Sequence, residues 1–163
     1  MFLTVHGTTG LIVGKYTGNI FIAFITAFIF HFLFDIIPHG DEFFIKDDDN
    51  KNKKFVFSES NIRKLKIATL IDVTVMSILM LIFYFNGIFT NPLPILFGMA
   101  GGIFPDFLVG IYILTKNPWL KNFFNFHDNV HHIFSKLKIP SYVGLLIQIG
   151  LFIFLVSWVL LEL

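Results

Sequence analysis

The sequence predicts an all-α, polytopic membrane helical bundle that forms a single membrane-embedded domain over residues 1–163. Hydrophobic residues make up 55% of the chain and charged residues only 14%. Four stretches reach about the twenty apolar residues that cross a hydrocarbon core, and a shorter apolar stretch precedes them. We therefore expect about five helices, a short N-terminal hairpin helix and four spans, with an additional amphipathic helix at the membrane interface.

The first two helices form a predicted hairpin. Residues 2–17 are apolar and carry glycines spaced four apart, which lets another helix approach closely. A Thr-Gly-Asn turn then folds this segment back on the span from Asn19 to Pro38. His6 and His31 lie about equally far from the turn, roughly 18 to 20 Å along their helices, so we expect them at the same depth. The glycines of this stripe are Gly10, Gly14 and Gly18.

Turn signals and composition define most of the later elements. A polar loop is predicted at residues 40–61, followed by a helix from about Ile62 to Phe85. Residues 117–138 carry one tryptophan, several lysines and alternating apolar positions, a pattern typical of an amphipathic helix lying at the interface. The last span is predicted from Pro140 to Leu163.

The span from Pro92 to Thr115 is unusual because it contains helix-weakening residues. Gly98, Gly102 and Pro105 precede Asp106, and we expect them to weaken or kink the helix there. A broken helix beside a carboxylate is one way to build a site at membrane depth. Alternatively, the two glycines pack against a neighbouring helix, and both explanations can hold together.

Lysine and arginine are concentrated in two segments, residues 40–66 and 116–138. Cytoplasmic loops carry an excess of these residues. We therefore expect a multi-pass protein of the cell membrane with its N-terminus and both basic loops in the cytoplasm and its C-terminus outside. The first residues lack a basic stretch and include a histidine, so no cleaved signal peptide is expected.

Ionisable residues inside the apolar stretches point to a site. Each costs roughly 2.5 to 3.5 kcal/mol at membrane depth, so each needs a partner or a cavity. His31 and Asp35 share one helix face at i and i+4, and Asp72 and Asp106 lie at a similar depth on other helices. We expect these residues to converge on the cytoplasmic side of the bundle.

Metal binding explains the residue types. The chain has no cysteine, so a metal must be held by imidazole and carboxylate groups, which suits zinc, manganese or iron. The sequence therefore predicts a divalent metal, with zinc favoured. The predicted ligands are His6, His31, Asp35, Asp106, His127 and His132.

The remaining polar residues are candidates for catalysis or for contact with the substrate. Asp72 and Asp41 are the candidate catalytic bases, although Asp72 could equally bond a helix-end amide or a histidine. His39 and His131 are the candidate substrate-side residues, and a polar helix cap is almost as good an explanation for His39. His127 and His131 share a helix face, whereas the next histidine in the chain points about 100° away, so we do not expect all three to bind.

These motifs resemble those of small bacterial and archaeal inner-membrane proteins classed as metal-dependent hydrolases. The likeness covers Thr4-Val5-His6 with Gly10, then Phe104-Pro105-Asp106, then the histidines from His127 to His132. Asp128 and His131 replace the arginine and threonine of that last motif, and no Asp-His follows Pro105-Asp106. The His31-x-x-x-Asp35 pair is also similar, over a short length, to a zinc-binding pair in zinc-dependent phospholipase C and P1-type nucleases.

The sequence thus predicts a membrane-bound metal-dependent hydrolase that acts on a phosphoester or related bond of a lipid or lipid-linked substrate through metal-activated water. No serine nucleophile elbow, phosphate-cradling glycine loop or dinucleotide fingerprint is present in the sequence. No nucleic-acid partner is expected, and the oligomeric state is left open. The alternatives are a metal-ion or proton transporter that uses the same His/Asp cluster, and a non-catalytic membrane adaptor.

Overall fold

The computed structural model describes residues 1–39, 59–131, 133 and 140–161, and this part of the chain is a helical bundle. The predicted all-α class is confirmed. A 3₁₀ turn at Pro118–Leu120 precedes the fifth α-helix. The α-helices are α1 (Leu3–Thr17), α2 (Ile20–Asp35), α3 (Glu59–Phe85), α4 (Pro92–Thr115), α5 (Lys121–His131) and α6 (Ser141–Leu161).

Three of the described helices are long and apolar enough to cross a membrane, namely α3, α4 and most of α6. Their outward faces expose large apolar side chains, among them Leu81, Phe85 and Leu146. Such a surface suits lipid, since water-soluble proteins seldom expose apolar area on this scale. Helix α2 is also apolar but has only 16 residues. It is about 24 Å long, shorter than the hydrocarbon core of about 30 Å.

One predicted boundary differs from the structure, the point where the polar loop ends and α3 begins. Helix α3 begins at Glu59 rather than near Ile62, so the end of the predicted polar loop is helical, and Glu59 supplies a carboxylate to the first turn. A negative charge there is favourable with the helix dipole. Residues 40–58 of that loop lie outside the described residues, as do most residues between 132 and 139.

Helix α1 lies at the centre of the bundle and packs against α4 through glycine. A Cβ added at Gly10 would lie 2.2 Å from the carbonyl oxygen of Gly98, and one added at Gly14 would lie 2.3 Å from that of Pro94. The predicted close helix approach is therefore confirmed, and the approaching helix is α4. Gly18 has another role, because its φ of 60° ends α1 in the left-handed conformation.

Helix α4 continues through Pro105 without a break. No break precedes Asp106, so a predicted kink would have to lie within a continuous helix, and the alternative explanation of the glycines, packing against a neighbouring helix, is confirmed. Gly98 packs on Gly10, and a Cβ at Gly102 would lie 2.4 Å from the carbonyl oxygen of His6. Pro105 is tolerated because neighbouring helices can compensate for the one backbone hydrogen bond that proline removes.

Side chains from two other helices hold the start of α1. The amide of Phe2 donates to the side-chain oxygen of Gln148 on α6. The amides of Leu3 and Thr4 donate to the carboxylate of Asp72 on α3, which also accepts the Thr4 hydroxyl at 2.6 Å. The first amides of a helix have no partner within it, and leaving them unpaired in an apolar interior costs several kcal/mol. Asp72 and Gln148 therefore fix the position of α1.

Candidate metal centre

Asp35, the last residue of α2, is the centre of the polar cluster. Its side chain is fully buried, and Oδ2 lies 2.9 Å from Nε2 of His31 and 3.3 Å from Nε2 of His127. Nε2 of His131 is also 2.9 Å from Oδ2. On the other side, Oδ1 lies 3.1 Å from Nε2 of His6 and 3.3 Å from the amino group of Met1. Nitrogen atoms from three helices and the chain start thus surround one carboxylate.

Four of these residues could hold a metal ion. One ligand atom from each of His31, Asp35, Asp106 and His127 lies within 4.8 Å of the other three. Nε2 of His127 is 3.0 Å from Nε2 of His31 and 3.3 Å from Oδ1 of Asp106. Nε2 of His31 and Oδ1 of Asp106 are 3.8 Å apart. Metal bonds of about 2.0 to 2.2 Å place tetrahedral ligands about 3.3 Å from one another, so these separations fit one ion.

The orientation of His31 is the one that a metal ligand needs. Its Nδ1–H donates to the carbonyl oxygen of Gly102 at 2.8 Å. In the neutral ring Nε2 then carries a lone pair, and it faces a carboxylate oxygen of Asp35 at 2.9 Å. Two acceptors at that distance repel each other unless a proton or a cation lies between them. A second-shell carbonyl that orients a histidine in this way is typical of metal sites.

Aromatic packing brings α5 to this cluster. The ring of Phe32 on α2 lies 5.2 Å from that of Phe126 and 5.8 Å from that of His127. On the other side, Tyr112 of α4 packs against Phe124 with ring centroids 4.6 Å apart. His127 and Val130 are the buried residues of α5. The predicted amphipathic helix is therefore docked with its histidine face on the ends of α2 and α4.

A second group of possible ligands consists of Asp35, His39 and His131. The rings of His39 and His131 meet edge to face, with centroids 4.8 Å apart. Burial lowers the pKa of His131 to about 4, so its ring is neutral near pH 7. The two histidines predicted on the substrate side thus lie among the possible ligands. The signal was in the sequence, because Asp35 with His39 and His127 with His131 are both i, i+4 pairs.

His6 meets His31 at the same depth, as the hairpin predicted, and the two rings stack with centroids 3.9 Å apart. Its Nε2–H donates to Oδ1 of Asp35, the oxygen opposite the one that faces the other histidines. His6 belongs to neither group of possible ligands. This geometry suits a residue that orients the carboxylate more than the ligand role predicted for it.

Three predicted site residues remain, namely Asp72, Asp41 and His132. Asp72 bonds the first amides of α1, which was the structural alternative left open for it, and we assign it to supporting the site rather than to catalysis. Asp41 and His132 lie outside the described residues, so their roles as base and ligand stay predictions. Within the described part of the chain, Gln148 is a residue whose role in holding α1 the sequence analysis did not predict. The available signal was a single polar side chain inside an otherwise apolar span.

Comparisons with protein-family models, with curated proteins and with solved structures found no match to this chain. The resemblance to small inner-membrane hydrolases therefore stays a hypothesis carried by short motifs. Any function must be argued from the geometry of the site itself.

Proposed function

We propose that this chain is a membrane-bound, zinc-dependent hydrolase that cleaves a phosphoester or related bond of a lipid or lipid-linked substrate. The observation that carries the proposal is the convergence of His31, Asp35, Asp106 and His127 within one metal-sized space. A divalent ion held there would supply a water that ionises near neutral pH.

The residues of the chain have distinct roles in this proposal. His31, Asp35, Asp106 and His127 bind the ion, and the Gly102 carbonyl keeps Nε2 of His31 turned toward it. His6 holds Asp35 through Oδ1, which leaves Oδ2 for the ion. Asp106 is partly exposed, with 21% of its side-chain surface accessible, so substrate can reach this side of the cluster.

The lipid part of the proposal rests on location. The site lies where α2 ends and where amphipathic α5 packs on α2 and α4. Trp119, just before α5, is 90% exposed. Tryptophan and lysine at such a position are typical of the membrane–water interface. We place this end in the cytoplasm, because lysine and arginine concentrate in the segments next to it. A headgroup at the interface would then meet the site without leaving the bilayer.

A transporter is less well supported because the far half of the bundle is closed by apolar side chains. Leu11, Phe83 and Ile95 belong to one packed layer from α1, α3 and α4, and each is almost fully buried. An ion or proton crossing the described bundle would have to pass this apolar layer, at a high cost in free energy.

The first test is metal analysis of the detergent-purified protein. We expect bound zinc in the wild type and its loss in Asp35→Ala and Asp106→Ala, while Glu59→Gln, a change at an exposed carboxylate, keeps the metal. Thermal unfolding of each variant establishes that the loss is not caused by misfolding. A stable wild type that binds no divalent metal after zinc reconstitution would contradict the proposal.

The second test separates hydrolysis from transport. Metal-loaded protein is assayed with phospholipids and phosphodiesters in micelles, and zinc and proton flux are measured in liposomes. We expect metal-dependent hydrolysis without flux. Flux without hydrolysis would favour the transporter, and metal binding without either activity would favour the adaptor.

A further inference from the structure

The imidazole of His131 lies close to Asp35 in addition to the ligands that one ion needs. His31, Asp35, Asp106 and His127 already supply four ligands, and with a bound water they complete a five-coordinate site for one ion. Nε2 of His131 nevertheless lies 2.9 Å from Oδ2 of Asp35, as close as that of His31. An oxygen atom of a carboxylate has two lone pairs, but three imidazole nitrogens lie within 3.3 Å of this one.

The ring of His39 is oriented in the same way as that of His31. Its Nδ1–H donates to the carbonyl oxygen of Ile37 at 2.7 Å. In the neutral ring this leaves the lone pair on Nε2, as the Gly102 carbonyl does for His31. The ring then meets that of His131 with centroids 4.8 Å apart. Orientation by a backbone carbonyl therefore occurs twice, once in each group.

The two groups are related by one helical turn. His127 and His131 are four residues apart on α5, and their ring centroids are 4.6 Å apart. Metal ions in two-metal enzyme sites lie about 3.5 to 4 Å apart, a spacing of the same size. Each group has one partly exposed side, since 21% of the side-chain surface is accessible both in His131 and in Asp106, whereas His31 is fully buried.

We propose that Asp35, His39 and His131 bind a second divalent cation, so that Asp35 bridges the two ions of a dinuclear centre. This inference rests on the proposed metal-dependent function and narrows its substrate. Three protein ligands leave the second ion open to oxygen atoms of a substrate. Two adjacent cations can bind two oxygens of one phosphate group, so within the proposed range of substrates the centre suits phosphoesters in particular.

The test counts metal ions in the full-length protein after zinc reconstitution and removal of loosely bound metal. We expect two zinc ions per chain in the wild type, one in His39→Ala and in His131→Ala, and none in Asp35→Ala. Asn129→Ala, at an exposed position on the same helix as His131, should keep both. Cobalt substitution gives a second readout, because two cobalt ions bridged by one carboxylate show magnetic coupling that the His131→Ala protein should lack.

Inorganic phosphate serves as the ligand probe. We expect the cobalt spectrum of the wild type to change on phosphate binding, and at least a tenfold weaker response in His131→Ala. One zinc per chain in the wild type, unaffected by His39→Ala or His131→Ala, would overturn the dinuclear centre while leaving the proposed hydrolase intact. Two ions that both survive these substitutions would also overturn it, and a wild type without zinc would remove both proposals.

Discussion

Adding one methyl group at Gly102 should disturb both the helix packing and the metal centre. A Cβ at this position would lie 2.4 Å from the carbonyl oxygen of His6, whereas real Cβ contacts are essentially never shorter than 3.0 Å. The atom it meets belongs to the backbone of α1, so no side chain can rotate away. In Gly102→Ala, α1 and α4 must therefore separate locally by about 0.6 Å, the difference between those two distances.

This displacement is large enough to break the contact that orients Asp35. Nε2 of His6 is 3.1 Å from Oδ1 of Asp35. If the whole movement is transmitted, the separation becomes about 3.7 Å, which is too long for a hydrogen bond. Loss of a residue that orients a metal ligand typically weakens metal binding about 10- to 100-fold. We expect an effect of this size on zinc affinity, measured by competition with a chromophoric chelator.

The matched control is Gly110→Ala on the same helix, where an added Cβ has no atom within 4 Å. Both variants gain the helix propensity of alanine, about 1 kcal/mol, so this gain cancels when they are compared. Overpacking then makes Gly102→Ala less stable than Gly110→Ala by about 1 to 3 kcal/mol, measured by denaturant unfolding in detergent micelles. Equal stability and equal zinc affinity of the two variants would refute the reasoning.

Two further predictions concern how much Asp72 and bound zinc each stabilise the folded protein. Asp72→Ala leaves the amides of Leu3 and Thr4 without their acceptor, so we expect at least about 2 kcal/mol of destabilisation in the same unfolding assay, and less for Asp72→Asn. A fully stable but inactive Asp72→Asn would instead restore the catalytic role of this residue. Chelation should destabilise the zinc-loaded wild type by about 2.7 kcal/mol for each bound ion when free zinc had been 100 times the dissociation constant. The Asp35→Ala protein should not respond to the chelator, and a wild type that is equally stable with and without zinc would argue against an ion in the cluster.

The helices were predictable from sequence because their signals are local. Apolar length and the Thr-Gly-Asn turn depend on residues close together in the chain. In the structure Asn19 of this turn also caps α2, because its side-chain oxygen accepts the amides of Phe21 and Ile22. The uninterrupted α4 was not predictable in the same way. Glycine and proline weaken an isolated helix, but here Gly98 and Gly102 pack tightly against α1 and the helix continues through Pro105.

The existence of a polar cluster was predictable, but the contacts within it were not. Placing histidine and aspartate in apolar helices is costly, so their convergence follows from energetics. Which atoms meet depends on how α1 and α5 rotate about their own axes, and this is set by packing between helices. Asp72 shows what the sequence could not predict. It was expected at the depth of the cluster, but its carboxylate accepts hydrogen bonds from Thr4 at the start of α1.

Gly102 shows why the helix packing and the site cannot be separated in this protein. Its missing side chain lets the His6 backbone approach α4, which brings the His6 ring against that of His31. Its carbonyl oxygen accepts the Nδ1–H of His31 and so turns Nε2 toward Asp35 and Asp106. A larger residue would push away one histidine and misdirect the other. The small-residue contact between α1 and α4 therefore does more than bring two membrane helices together, because it sets the positions of the two histidines on either side of Asp35.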